Sequence, residues 1–415
     1  MIPRLIYTAV MYVFMPFALL RLLWRSRNEP GYRRHWSERF GKFSRVSFDV
    51  APIWIHAVSV GETRAAAPVI AEIERRHPGV PILLTHMTPT GRATGASLFG
   101  DRVVQTYLPY DLPGAAARFL SYYRPRLGLL METEIWPNLT NACRQERIPL
   151  YLVNARLSEK SYRGYGRLGV LVRDALGDLS GVAAQSIDDA ERLLALGAPQ
   201  PTVTGNVKFD VAIPEEQLTR GSTWRAGWGP RPVVLFASTR DGEEALIIES
   251  ARPLIDSGAL LVIVPRHPRR FDEVARLLDQ QNVSYVRRSS TLAMDASCSV
   301  LLGDSMGEMF AYYAACDVAF IGGSLLPFGS QNLIEASAVG KPVMIGPHTF
   351  NFEEASRHAI ESGAAFRVGN ASELVGCAMR LIADDDARNQ ASIAARRFVS
   401  LHQGATKRTL DGIGL

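Results

Sequence analysis

Short, unbroken apolar runs separated by helical stretches recur through almost the whole chain, and this alternation restricts the fold more than any other feature. In the first half the runs cover residues 53–58, 82–86, 103–108, 127–131, 150–154, 182–184 and 202–204. In the second half they cover 233–237, 260–264, 283–286, 300–302, 317–321 and 343–345. Helical patterns such as 63–76 and 188–196 lie between them. A strand that is apolar on both faces must be covered on both faces, as helices cover the strands of a parallel sheet. The expected fold class is therefore α/β, with two doubly wound, Rossmann-like lobes facing a cleft. The stretch from Pro214 to Pro232 carries Gly221, Gly227, Gly229 and Pro230 with little apolar periodicity, and marks the break between lobes. The division expected is a first lobe over 50–213, a linker over 214–231 and a second lobe over 232–415, with a helical tail from Glu373 to His402.

The N-terminus has a different character. Residues 5–20 carry no charge, and 2–24 is apolar apart from Arg4 and Arg21. No small-residue cleavage site follows, so this is not a cleavable signal. It reads as a membrane anchor over 1–24, either a single span that Pro16 would kink or a helix lying in the membrane plane. The segment 25–49 that follows holds Arg25, Arg27, Arg33, Arg34, Arg39, Lys42 and Arg45 against Glu29 and Glu38. Such a collar suits anionic phospholipid and puts the body of the protein on the cytoplasmic side of an inner membrane. A net charge of +5 over 415 residues is too diffuse to argue for nucleic acid. The four cysteines are far apart and form no CxxC pair, which argues against a zinc site or a disulfide framework. No GxGxxG follows a strand, which counts against a dinucleotide enzyme.

In doubly wound sheets ligands bind beyond the carboxyl ends of the strands, so the polar residues there are the informative ones. In Ser59-Val-Gly-Glu-Thr63 a carboxylate sits at a helix start, either as a partner for the helix dipole or as a general base. Thr85-His-Met-Thr-Pro-Thr-Gly-Arg92 offers hydroxyls and a cation to phosphate or sugar oxygens through Thr88 and Arg92, although a helix cap explains part of it. Met131-Glu-Thr-Glu-Ile-Trp-Pro-Asn138 ends an apolar strand on two acids, Glu132 and Glu134, which need partners beside apolar packing. Val153-Asn-Ala-Arg156 and Gly205-Asn-Val-Lys-Phe-Asp210 bring Arg156 and Lys208 to the same rim.

In the second lobe, Pro265-Arg-His-Pro268 follows a strand directly, where Arg266 suits a charge-assisted contact to phosphate or carboxylate. Gly303-Asp-Ser-Met-Gly-Glu-Met309 reads as a helix start, with Glu308 accepting from a base or sugar. In Phe320-Ile-Gly-Gly-Ser-Leu-Leu-Pro-Phe-Gly-Ser-Gln-Asn-Leu-Ile-Glu335, glycines and a helix from Asn332 make an anion site, and Glu335 suits a ribose hydroxyl pair. No His/Cys/Asp cluster has metal-ligand spacing.

Read together and in order, these strings, with Pro347-His-Thr-Phe-Asn-Phe352, closely resemble the Kdo transferases of lipopolysaccharide assembly over nearly the whole chain. The resemblance implies a GT-B fold, CMP-Kdo as donor, the lipid A precursor lipid IV(A) as acceptor, and no cofactor or metal. It puts the proton acceptor at Glu62, transition-state assistance at Glu132 and Lys208, and donor contacts at Pro265, Arg266, Met306, Gly307, Glu308, Asn332, Leu333, Ile334 and Glu335. The family usually has a second glycine where this chain has Ser330. Two readings stay open beside it: another GT-B enzyme working on a UDP-sugar, a transferase or an epimerase, and a membrane-docked protein that binds nucleotide-sugar or lipid without catalysis.

Overall fold

The computed structural model describes residues 2–27, 29–43, 48–290 and 298–415, so Arg45 of the basic segment lies outside the described residues. The chain forms two compact units, Met1–Asp210 with Gln403–Leu415, and Val211–His402. The first is built on β1 (Ile53–His56), β2 (Ile82–His86), β3 (Val104–Tyr107), β4 (Leu127–Met131), β5 (Leu150–Ala155), β6 (Gly181–Ala184) and β7 (Thr202–Val203). These pair in parallel in the order β3-β2-β1-β4-β5-β6-β7. The chain winds outward from β1 to β3 and then returns to place β4 beside β1. Connections leaving β1 and β4 therefore diverge, which opens a crevice at their carboxyl ends. Alternate side chains fill opposite faces: Trp54, Leu83, Leu130 and Leu152 pack on one, and Ile55, Leu84, Leu129 and Met131 on the other. Gly128 makes room for the indole, because a Cβ there would lie 2.5 Å from Trp54 Cε3.

The second unit repeats the plan with β8 (Val233–Thr239), β9 (Leu260–Pro265), β10 (Tyr285–Arg287), β11 (Val300–Leu302), β12 (Val318–Ile321), β13 (Val343–Ile345) and β14 (Ala365–Arg367). All pairings are again parallel, in the order β10-β11-β9-β8-β12-β13-β14, and the reversal falls between β8 and β12. β14 was not expected. It is a three-residue edge strand in which only Ala365 is buried, too little to give an apolar run.

Two stretches differ from their expected roles. The segment read as a linker holds the helix Glu215–Gly227. That helix packs through Gly221, where a Cβ would lie 2.3 Å from the Ala311 carbonyl, and through Trp224, whose ring is 5.0 Å from Tyr312. A contact made by one glycine and one aromatic leaves no apolar stripe to read. The last residues, 403–415, belong with the first unit. Asp210 accepts from the backbone N–H groups of Gly404 and Thr406, both at 2.6 Å, and Arg408 donates to the Thr204 carbonyl at 2.9 Å.

The N-terminal helix Ile2–Arg25 runs through Pro16. Its partly covered positions are Pro3, Arg4, Tyr7, Thr8, Met11, Met15, Ala18 and Leu19, with Leu22 buried, a single stripe at helical spacing along its full length. Thr8 donates to Asn138 Oδ1 at 3.0 Å. The opposite stripe, including Leu5, Ile6, Val10, Val13, Phe17, Leu20 and Trp24, is exposed. The basic segment after it is partly folded into the first unit: Arg39 is buried with its guanidinium 4.0 Å from the Tyr107 ring, and Glu38 takes the Tyr107 N–H at 2.9 Å.

Candidate active site

At the reversal point of the first unit, β1 ends and the helix Val60–Arg76 begins. Glu62, its third residue, reaches back so that Oε2 accepts from the Val58 N–H at 2.7 Å and Oε1 from the Ser59 hydroxyl at 2.9 Å. This resembles a capping box, so the glutamate fixes the helix start and is itself fixed. Burial pushes its pKa up to about 7 against those donors, the Glu132 charge adds to the rise, and Lys208 opposes it. A carboxyl group poised near neutrality is what proton abstraction at physiological pH calls for.

Glu132 follows β4 directly with φ +59, a left-handed conformation that costs about 1–2 kcal/mol for a side-chain-bearing residue. Its Oε1 receives Lys208 Nζ at 2.6 Å. Lys208 lies in the short helix Val207–Phe209, whose start is held by Asn206 accepting from the Lys208 N–H at 3.0 Å and by Asn154 accepting from the Val207 N–H at 3.1 Å. Asn154, at the end of β5, is also left-handed, with φ +52. Three strand ends and one short helix thus bring Glu62, Glu132 and Lys208 into one electrostatic group, from positions far apart in the chain.

The other first-unit candidates take different places. Thr88 caps the helix Pro89–Phe99, accepting from the Gly91 N–H at 3.0 Å, and donates to the Val58 carbonyl at 3.2 Å. Arg92 pairs with Glu38 at 2.6 Å and donates to the Gln105 carbonyl at 3.2 Å, so it braces the 38–40 segment. The Arg156 carbonyl accepts from the Thr133 hydroxyl, which pins the loop after β4 to the loop after β5. Glu134 accepts from the Trp136 indole N–H at 2.8 Å, and burial followed by the Glu62 charge raises it to about 8. Beneath the site His56 and His86 are buried and held neutral, His56 down to about 3 and His86 to about 4, chiefly by burial. His56 bonds Thr85 Oγ1 at 2.8 Å and tethers β1 to β2.

In the second unit Pro265 ends β9, and the Arg266 N–H donates to the Thr239 carbonyl at 3.0 Å. Buried Tyr313 feels the charges of both Glu335 and Arg266. Two helices start later than expected, at Met309 and Ile334. Met306 is exposed, Gly307 has φ +80, and Glu308 stands at the cap position with Oε1 accepting from Arg220 at 2.9 Å and Arg288 at 3.1 Å. Asn332, just ahead of the cap residue Leu333, accepts from the Ile334 N–H at 3.0 Å and donates to Glu335 at 3.1 Å. Leu333 and Ile334 are buried and shape the turn from below.

One residue the motifs did not single out organises this rim. Glu243 is fully buried, and its carboxylate accepts from the N–H groups of Arg240 at 2.8 Å, Gly323 at 2.6 Å and Leu325 at 2.9 Å. The N–H groups of Gly323 and Leu325 in the glycine loop are thus taken by the protein's own carboxylate. A signal was present in the sequence: Glu243 and Glu244 open an apolar helix side by side, and buried acids must find donors. Ser330, at the departure from the family pattern, has φ +70 and stays in register through its N–H to the Gly323 carbonyl at 2.6 Å.

A family defined as 3-deoxy-D-manno-octulosonic-acid transferase (kdotransferase) matches residues 34–211. A 3-deoxy-D-manno-octulosonic acid transferase of Bordetella pertussis is 46% identical over 99% of this chain and 98% of its own length. One from Haemophilus influenzae is 36% identical over 98% and 97%. Among solved structures, a glycosyltransferase from Rickettsia africae superposes with a TM-score of 0.60 at 14% identity, covering 88% of this chain and 98% of its own. A UDP-GlcNAc 2-epimerase from Neisseria meningitidis gives 0.59 at 17% identity, covering 87% and 99%. These two likenesses speak for the GT-B fold and leave the substrate to the sequence relatives. By its motifs and its full-length relatives, the chain belongs to the 3-deoxy-D-manno-octulosonic acid (Kdo) transferase family, glycosyltransferases of lipopolysaccharide biosynthesis.

Proposed function

We propose that this enzyme transfers Kdo from CMP-Kdo to the lipid A precursor lipid IV(A), with inversion at the anomeric carbon and Glu62 as general base. The acceptor hydroxyl is a poor nucleophile until its proton begins to leave. Glu62 takes that proton while the hydroxyl oxygen bonds to the anomeric carbon from the face opposite CMP. The bond from that carbon to the CMP phosphate oxygen breaks, and its electron pair departs with the phosphate. Lys208 and Glu132 act on the charges that develop, the carboxylate toward the electron-poor sugar and the ammonium toward anionic oxygens, including the carboxylate of Kdo itself. The observation that carries this reading is Glu62: fixed at the switch point of the first sheet and raised to about 7.

The donor end rests on Arg266, Glu308 and Glu335 at the rim of the second sheet. The site of action in this reading is the cytoplasmic face of the bacterial inner membrane. Support comes from the N-terminal helix, docked along one stripe with an apolar stripe turned outward, which suits a helix lying in the membrane plane better than a free span.

The test is Glu62→Gln, assayed by mass analysis of the lipid product with CMP-Kdo as donor. Transfer is expected to fall by roughly 10²–10⁴-fold, the usual contribution of a general base, with CMP-Kdo binding retained. Transfer at the wild-type rate would remove Glu62 from the mechanism. Preference for UDP-GlcNAc over CMP-Kdo in a binding competition would remove the donor assignment.

A further inference from the structure

The loop after β4 carries a second carboxyl group that the mechanism above leaves unused. Glu132 and Glu134 stand two residues apart on this loop, and the charges of Glu62 and Glu132 both bear on Glu134. Their partners are unequal. Glu62 has a backbone N–H and a hydroxyl, and Glu132 has the Lys208 ammonium at 2.6 Å. Glu134 has a single neutral donor, the Trp136 indole at 2.8 Å on Oε2, and its Oε1 makes no hydrogen bond among the described residues. That oxygen is not sealed in, because it is absent from the buried unpaired atoms and the residue is half-buried.

The surroundings are apolar. Ile135, Trp136 and Tyr165 pack on the same core cluster, Trp136 stands edge-on to His56 at 6.0 Å between ring centres, and the Glu134 charge is felt by Tyr165 on the helix Glu159–Gly166. The groups whose charges act with that of Glu134 are Glu62, Glu132 and Tyr165, and Lys208 is paired with Glu132. One ammonium cannot balance three negative charges in such a place, and the carboxyl with the weakest set of donors is the one that keeps its proton.

We propose that Glu134 contacts the acceptor sugar as an uncharged carboxylic acid, with Oε2 anchored by Trp136 and the Oε1 hydroxyl donating to an acceptor oxygen beside Glu62. A neutral neighbour lets Glu62 ionise, and a directed O–H holds the acceptor where Glu62 can reach its proton. The inference rests on the transfer reading above. It concerns a protonation state and a contact, not the identity of the base.

The test follows KM for a lipid A-type acceptor and kcat, from about pH 6 to about pH 9, in wild type, Glu134→Ala and Glu134→Gln, with CMP-Kdo as donor. In wild type the acceptor KM should climb as pH passes about 8, where the carboxyl ionises. Glu134→Ala should raise that KM about tenfold at neutral pH, the size of one lost hydrogen bond, while KM for CMP-Kdo stays put. Glu134→Gln should recover most of this loss, since an amide also donates, and its KM should no longer climb with pH. Glu134→Gln as impaired as Glu134→Ala would show that a charged carboxylate is needed and overturn the proposal, as would a wild-type KM flat across the range. Wild-type enzyme that moves no Kdo from CMP-Kdo would overturn the transfer reading itself, and this proposal with it.

Discussion

At the scale of single residues, the site is organised by carboxylates whose partners differ, and the partners decide what each one does. Glu243 is the plainest case, a fully buried carboxylate bonded to three backbone N–H groups on two loops. Glu243→Gln keeps the shape but turns an NH2 toward an N–H donor. It should cost about 2–4 kcal/mol in denaturant unfolding and weaken CMP-Kdo binding at least tenfold. Unchanged donor affinity would mean that the loops after β8 and β12 hold their shape without it. The sequence left two roles open for Glu62, and its side chain secures a helix start at the switch point while burial holds its carboxyl near neutrality. The sequence pointed to Glu62, Glu132 and Lys208 through the order of motifs shared with a known family, and the fold brings Lys208 to Glu132 at 2.6 Å. An arginine in a hydroxyl-rich loop says nothing about Glu38, 54 positions away, with which Arg92 pairs.

At the scale of elements, the N-terminal helix has one stripe against the first unit and one apolar stripe facing out. The two stripes predict different outcomes for substitutions a few positions apart. Val13→Asp with Phe17→Asp, both on the outer stripe, should release the protein from vesicles containing anionic lipid. Transfer to detergent-dispersed acceptor should persist. Tight vesicle binding by this double variant would leave the attachment to the basic segment alone. Amphipathic docking of this kind was only half legible. Hydropathy marks the segment as apolar, but it does not say that the stripe with Arg4, Tyr7, Thr8, Met11 and Met15 is the one that meets the protein. The helix Glu215–Gly227 was illegible for the opposite reason. Gln217 donates to the Gly307 carbonyl at 2.9 Å and Arg220 to Glu308 at 2.9 Å, which adds polar contacts to those of Gly221 and Trp224, and none of these leaves a periodicity.

At the scale of the whole molecule, the strands read from the sequence are the strands observed, apart from the short edge strand β14; most are buried on both faces and leave a continuous apolar signature, whereas the edge strands β7 and β10 are not. A poised base also leaves a trace in stability. Burial raises Glu62 in the folded state above its ordinary value of 4.5, to about 7. The folded protein therefore holds that proton more tightly, and the associated stability is complete below about pH 4.5 and lost as pH climbs through 7. Glu62→Gln never ionises and escapes the loss. It should be more stable than wild type at about pH 8, by roughly 1–2 kcal/mol after allowing for partial exposure, with the gap closing by about pH 4.5. Equal denaturation midpoints at both pH values would show that Glu62 ionises at no cost to the fold. The return of residues 403–415 to the first unit bears on how the chain is made. Ala405 and Leu410 are fully buried there, and Asp210 waits for the N–H groups of Gly404 and Thr406. On the ribosome the second-emerging unit can finish while the first-emerging one still lacks its closing piece, so the part of the protein that is synthesised first must be the last to mature.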